Sequence, residues 1–435
     1  MTLLLGLAAI FAIENVSVIP MDRERTLDRQ TVIVRDGRIA EIGATRSVKI
    51  PDGATRINGA GQFLMPGFAE MHGHLPAASA SEEEIARVLF LYVANGVTTV
   101  RGMLGHPRQL EIRARIRKGE LTGPNLYLAG PALSGATAPT AEIAEKMVRE
   151  QKLAGYDLIK VQEGLKPEVY DSLVKTARAV SIRFGGHVPN EVGLLNALEA
   201  RQSSIDHMDN YLEALEADNS AIRNADPQTR ARDLPLHVDE SKIPILARRT
   251  RESGAWIVPT MALWDNLQGP SQPKDFSGWS ELKFVPKQWV DQWTAQKTKA
   301  AAAGNPQAGE RLRDIRKKML RALNEAGVGI MFGTDSPQVF SVPGFSIHRE
   351  IPWLTASGMT PYQILRSGTR NAAAYFDATN EFGTVEVGRR ADLVLLRGNP
   401  LKDLGQLRDP AGVMLNGRWI SGTEIRNQLN GLSAP

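Results

Sequence analysis

The sequence predicts an α/β fold: a (β/α)8, or TIM, barrel with a small β-sandwich domain assembled from both chain ends. Three observations lead there. Both ends carry short alternating apolar segments joined by hairpin turns. The middle alternates apolar strands with amphipathic helices. Titratable residues fall at the ends of those strands, where such barrels hold their chemistry.

The elements follow in order. "MTLLLGLAAIFA" is too short to span a bilayer, and a strand already begins at Phe11. Residues 1–10 therefore read as the remnant of an export signal in preference to a buried strand, which favours an exported or periplasmic protein over a cytoplasmic one. Residues 11–66 hold "AIENVSVIPM", "QTVIVRDGRIAEIG" and "ATRINGAGQFLMP", with Asp36-Gly37 as a hairpin turn. Residues 381–435 look alike: "GTVEVGRRADLVLLRG" and "GVMLNGRWISG", with Asn416-Gly417 as a second turn. The two ends form one β domain, and residues 67–380 are inserted between them as the barrel. Its eight strands read "GFAEMHG", "VTTVRG", "NLYLAG", "DLIKVQ", "IRFGGH", "SSIDH", "AWIVPT" and "GIMFGTD". Helices such as "SEEEIARVLFLYVANG" and "KPEVYDSLVKTARAVS" lie between them. The stretches near 208–250 and 265–325 exceed simple connections and read as lid insertions.

Composition removes several function classes. The chain has 435 residues, 42 % hydrophobic and 23 % charged, with a net charge of +4. Lys and Arg are dispersed, so no nucleic-acid surface is read. The basic face of the helix near 309–327 reads as solvated. There is no cysteine, which excludes disulfides and thiolate chemistry and restricts any metal to nitrogen and oxygen ligands.

The strand ends supply such ligands. His72 and His74 close the first strand, and residues two apart point the same way. His187, His207 and Asp335 close the fifth, sixth and eighth strands. Four imidazoles and a carboxylate on one rim read as a metal site, suited to zinc and also to manganese, iron, cobalt or nickel. Lys160 interrupts the apolar fourth strand. A buried ammonium pairs, deprotonates or is modified. Glu163 is a candidate partner, a Schiff base is a second option, and a carbamate bridging two metals is a third.

Taken together, "PGFAEMHGHL", Lys160, His187, His207, "GTDS", "MTPYQILRSGTRNAAAYF" and the C-terminal "GTVEVGRRADLVLL" closely resemble the amidohydrolase superfamily. The likeness is narrower to its imidazolonepropionase-like and Xaa-Pro-dipeptidase-like hydrolases, and spans about residues 11–425. The resemblance implies two divalent metal ions, zinc by preference. His72, His74 and Asp335 would hold one, His187 and His207 the other, and N6-carboxylated Lys160 would bridge them. It implies hydrolysis of an amide or peptide-like C–N bond, as in a dipeptide or N-acyl amino acid, by a metal-bound hydroxide. Asp335 acts as general base and acid. Lactone or phosphotriester hydrolysis, mononuclear deamination and a non-catalytic assembly role are the alternatives. Glu70 stands where the family usually has Asp. The partners implied are a small-molecule amide or peptide and a second copy of the chain, with no nucleic acid and no membrane span. Around the site, His106, Tyr211 and Arg101 are candidate substrate contacts. Trp264, Trp279, Trp289 and Trp293 read as packing or as an aromatic wall. His237 and His348 read as structural or solvated.

Overall fold

The computed structural model describes residues 9–432, which divide into two compact units. Residues 9–69, 90–99 and 360–432 form one, and residues 70–89 and 100–359 the other. The expected export signal falls almost wholly on residues 1–8, outside the described residues.

The first unit is organised by one mixed sheet of eight strands. The apolar positions of both ends face the same core: Ile13, Val32 and Leu64 from the first end, Leu393, Leu395 and Met414 from the last. Strand Phe63–Pro66 runs antiparallel to Leu393–Leu396, with Leu64 opposite Leu395. That pairing joins the two ends in one continuous sheet. Both expected turns are present. Asp36 and Gly37 have φ of 52° and 74°, and Asn416 and Gly417 of 50° and 77°, the left-handed pairs that suit a two-residue hairpin. Phe90 and Val93 pack in this unit against Val413, Ile420 and Ile425.

The second unit alternates strands and helices. Strands Leu158–Val161, Arg183–Gly186, Ser204–Asp206 and Trp256–Val258 form one parallel sheet. Strands Phe68–Gly73, Val97–Gly102 and Asn125–Leu128, the first two of which cross the division between the units, form another. Parallel bridges join Ala129 to Leu158, Ile257 to Ile330 and Gly73 to Ser336. The segment expected as the eighth strand is irregular. Met71 and His74 donate backbone N–H bonds to Phe332 and Ser336, and Asp335 donates to His72. Asp335 itself has φ 58°, outside the extended region, so a regular strand cannot continue through it.

The intervening helices carry their own start and stop signals. Ala141–Ala154 begins at Thr140, whose hydroxyl accepts from the Ile143 N–H, and ends at Gly155 with φ 87°. Pro167–Ala179 opens with proline. Their apolar faces close over Leu133, Ile159, Val161 and Phe184. The two long insertions are largely helical, and include Ile243–Ser253, Met261–Gln268, Lys287–Ala303 and Pro306–Glu325. On the last of these, Arg311 and Lys318 pair with Glu240 at 2.5 and 3.0 Å, so part of the basic face is neutralised within the chain.

Candidate metal centre

His72 and His74 lie on strand Phe68–Gly73 and just after it, and Asp335 lies on the irregular segment bonded alongside. Their donor atoms all fall within 4.8 Å of one another. His74 Nε2 is 2.5 Å from Asp335 Oδ1, and His72 Nε2 is 3.6 Å from the same oxygen. The His207 ring stands 4.5 Å from that of His72 and 4.7 Å from that of His187. His207 Nε2 is 3.6 Å from Asp335 Oδ2. Lys160 Nζ is 3.4 Å from His72 Nε2. The structure thus brings all six side chains to one place.

The rings are oriented from behind. His72 Nδ1 lies 2.8 Å from Asp206, His187 Nδ1 2.6 Å from Asp209, and His207 Nδ1 2.8 Å from the Thr260 hydroxyl. Fixing Nδ1 leaves Nε2 as the free lone pair, the usual arrangement around a metal-ligating histidine. His207 Nε2 is shut away from solvent and has no hydrogen-bond partner. An orphaned buried nitrogen among imidazoles, a carboxylate and no thiolate fits a divalent cation.

Burial sets the charge states. It drives His72 and His207 well below the usual imidazole range, and neighbouring cationic groups add to this, so both rings are neutral. Burial also pushes the Asp335 carboxyl up, but the hydrogen bond from His74 and the cationic groups around it outweigh this and hold it at about 2. The Lys160 amine is lowered by burial against the opposing pull of Asp206 and Asp335. Lys160 is 2 % exposed, and no carboxylate sits within ion-pairing distance among the described residues. Glu163 instead accepts from the Asn190 N–H, and its donors group with those of His187 and Asp209. Gly186, at φ 121°, makes room for the lysine: a Cβ there would meet Lys160 Cδ at 2.7 Å.

Glu70 ties two segments together. It is wholly buried and accepts from the His72 and Thr334 N–H groups and the Thr334 hydroxyl, at 2.9, 2.8 and 2.6 Å. Burial raises its carboxyl to about 8.

The three expected substrate contacts are placed differently. Arg101 is 0 % exposed. It donates to the Met71 carbonyl, to Ser204 at 2.9 Å and to Asp206 at 2.7 Å. Its fork is occupied by the protein in an internal salt bridge, the alternative to a substrate contact for this residue. The Tyr211 hydroxyl is buried against Thr250 at 2.6 Å. His106 is half-buried, with Nε2 3.0 Å from the Pro76 carbonyl. Of the tryptophans, Trp293 packs against Phe340 and Trp289. Trp279 lies under Arg349, and Trp264 stands 6.1 Å from His207.

Sequence reasoning did not assign Asp206, Asp209, Thr260 or Gln338, which donates to Asp335 Oδ1 at 2.5 Å. The two aspartates sit within "SIDHMD", and a carboxylate immediately before a strand-end histidine was the available signal.

An Aspergillus niger ochratoxinase is 21 % identical over 91 % of this chain and 83 % of its own length. Among solved structures, a bottromycin amidohydrolase superposes with a TM-score of 0.72 at 21 % identity, covering 97 % of this chain and 90 % of that one. A Xaa-Pro dipeptidase with bound methionine gives 0.68 at 19 %, covering 95 % and 100 %. At these identities the structural matches establish the fold alone. The family model described as "Amidohydrolase family" matches residues 63–420, and on that match the chain belongs to the amidohydrolase family.

Proposed function

We propose that this hydrolase cleaves a C–N bond, in a dipeptide or an N-acyl amino acid, at a two-cation centre. The observation that carries the reading is the convergence of four imidazoles, Asp335 and an unpaired buried lysine. The names of two similar structures, a Xaa-Pro dipeptidase and an amidohydrolase, support the same reading. We further propose that the second unit closes as a (β/α)8 barrel, supported by the three parallel bridges that join neighbouring segments side by side at the sheet edges.

His72, His74 and Asp335 would hold one cation, and His187 and His207 the other. Lys160, kept towards its neutral form by burial, attacks CO2 through Nζ and loses a proton, giving a carbamate with two oxygens to share between the sites. The chemistry the cations supply when bound is polarisation of the scissile carbonyl and a lowered pKa for the attacking water. Asp335, with Gln338 donating to its Oδ1, is the acceptor for the water's proton. Asp335 then returns that proton to the leaving nitrogen, since an amine departs poorly without it.

Metal content per chain, measured by mass spectrometry on protein grown with zinc and bicarbonate, tests the centre. About two metals per chain, with hydrolysis of N-acyl amino acids or dipeptides, is expected. About one would favour a mononuclear deaminase and return Lys160 to a structural role.

A further inference from the structure

Beside the ligand cluster lies a guanidinium with no carboxylate partner among the described residues. Arg316, on helix Pro306–Glu325, donates from Nη2 to the Pro259 carbonyl at 2.8 Å. Its Nε is shut off from solvent and has no acceptor. The guanidinium stands 5.4 Å from the Trp264 ring centre, and the Trp264 indole N–H is likewise buried without an acceptor. Four acids lie within range of its charge: Asp209, Glu350, Glu213 and Asp265. Three are engaged elsewhere. Asp209 is held by His187, Asp265 pairs with Arg313, and Glu350 accepts from the Met261 and Ala262 N–H groups. Burial moves the fourth, Glu213, towards its neutral form. Arg316 keeps its own charge at neutral pH, since burial lowers it only to about 10.

Arg316 and Trp264 line a cavity of about 160 Å3 that His207, Asp209 and Glu213 also line, with apolar walls from Leu234, Leu312 and Ile315. A space of that size holds one apolar side chain. Two buried donors lacking acceptors, one of them cationic, call for an anion with two oxygens.

We propose that Arg316, with Trp264, is the specificity-determining pair that receives the carboxylate of the substrate, while the cavity takes the apolar side chain of the same residue. This rests on the amide-hydrolase reading above and sharpens it: the substrate ends in an apolar amino acid with a free carboxylate, and its scissile amide lies on the His207 side. A carboxylate there accepts from Arg316 Nε and the indole N–H, satisfying both orphaned groups.

Calorimetric binding of N-acetyl-L-leucine and of N-acetyl-L-leucinamide to the full chain, with and without zinc, tests it. The acid is expected to bind about 10- to 100-fold more tightly than the amide, the range for a charge-assisted hydrogen bond. Arg316→Met should abolish that preference, and Trp264→Phe should reduce it. Should Arg316→Met fail to fold, Arg316→Lys decides, because it keeps the charge and loses the fork; its preference should fall several-fold. Equal binding of acid and amide by the wild type, no binding of the acid, or an undiminished preference in the Arg316 variants overturns the proposal. An acid preference in a protein that hydrolyses no amide leaves the Arg316 subsite standing and removes the hydrolase reading instead.

Discussion

A charged group buried without a partner is either a fault or a reagent, and Lys160 shows which by its neighbours. It faces His72, with Asp206 and Asp335 within electrostatic range and, among the described residues, no carboxylate in ion-pairing contact. Lys160→Ala should lose most bound metal and activity, read by metal analysis and turnover; full activity would leave Lys160 no bridging role. The second telling residue is Asp206, whose Oδ2 lies 2.8 Å from His72 Nδ1 and 2.7 Å from Arg101 Nη2. Asp206→Asn should weaken metal binding by about 10- to 100-fold. It should also cost about 3–5 kcal/mol of stability, because Arg101 is left buried with its charge unmatched. Metal titration and urea unfolding separate the two effects. Glu350 sets a pH dependence. Burial raises its carboxyl to about 7, against the Met261 and Ala262 N–H groups that favour the ionised form. The native state therefore binds this proton more tightly than the unfolded chain, whose carboxyl titrates near 4.5. The contribution is full below pH 4.5 and is lost as pH rises through 7. Metal-free protein should unfold at lower urea at pH 8 than at pH 5, and Glu350→Gln should flatten that slope.

At the scale of elements, the site depends on backbone in unusual conformations. His207, Thr260 and Asp335 have φ of 62°, 42° and 58°, each a non-glycine residue in the left-handed region, at a cost of about 1–3 kcal/mol apiece. Gly333 allows the segment that carries Asp335 to lie against its neighbour. A Cβ there would meet Val258 Cγ1 at 2.4 Å and the His72 backbone nitrogen at 2.9 Å. Gly333→Ala should cost about 1–3 kcal/mol in unfolding and weaken metal retention together. These features explain what was legible in the sequence. Strand-end histidines announce themselves by alternation, so His72, His74, His187 and His207 were visible as a set. The αβ alternation and both hairpin turns were visible for the same local reasons. Asp206, Asp209 and Thr260 were not, because their value lies in which ring they stand behind, a long-range fact. Arg101 was open to two readings because a strand-end arginine looks the same whether its fork faces a ligand or Asp206. The eighth strand misled because its apolar run conceals the turn at Asp335.

For the whole molecule, loading the centre should stabilise the fold by mass action. Zinc at about 100 times its dissociation constant adds about 2.7 kcal/mol, to be read as a rise in melting temperature that a chelator reverses. Among the described residues no helix is long and apolar enough to cross a membrane. The continuous sheet has a further consequence, for the order in which the protein is made. Strand Phe63–Pro66 leaves the ribosome early, and its neighbour Leu393–Leu396 leaves near the end of translation. At ordinary elongation rates the early strand waits on the order of tens of seconds with one edge bare. A chain that stops before Leu393 should consequently aggregate or bind chaperones, although every proposed metal ligand has by then been synthesised. Ribosome stalling just before and just after that strand, followed by protease challenge of the nascent chain, should show the N-terminal strands gaining protection only in the longer chain.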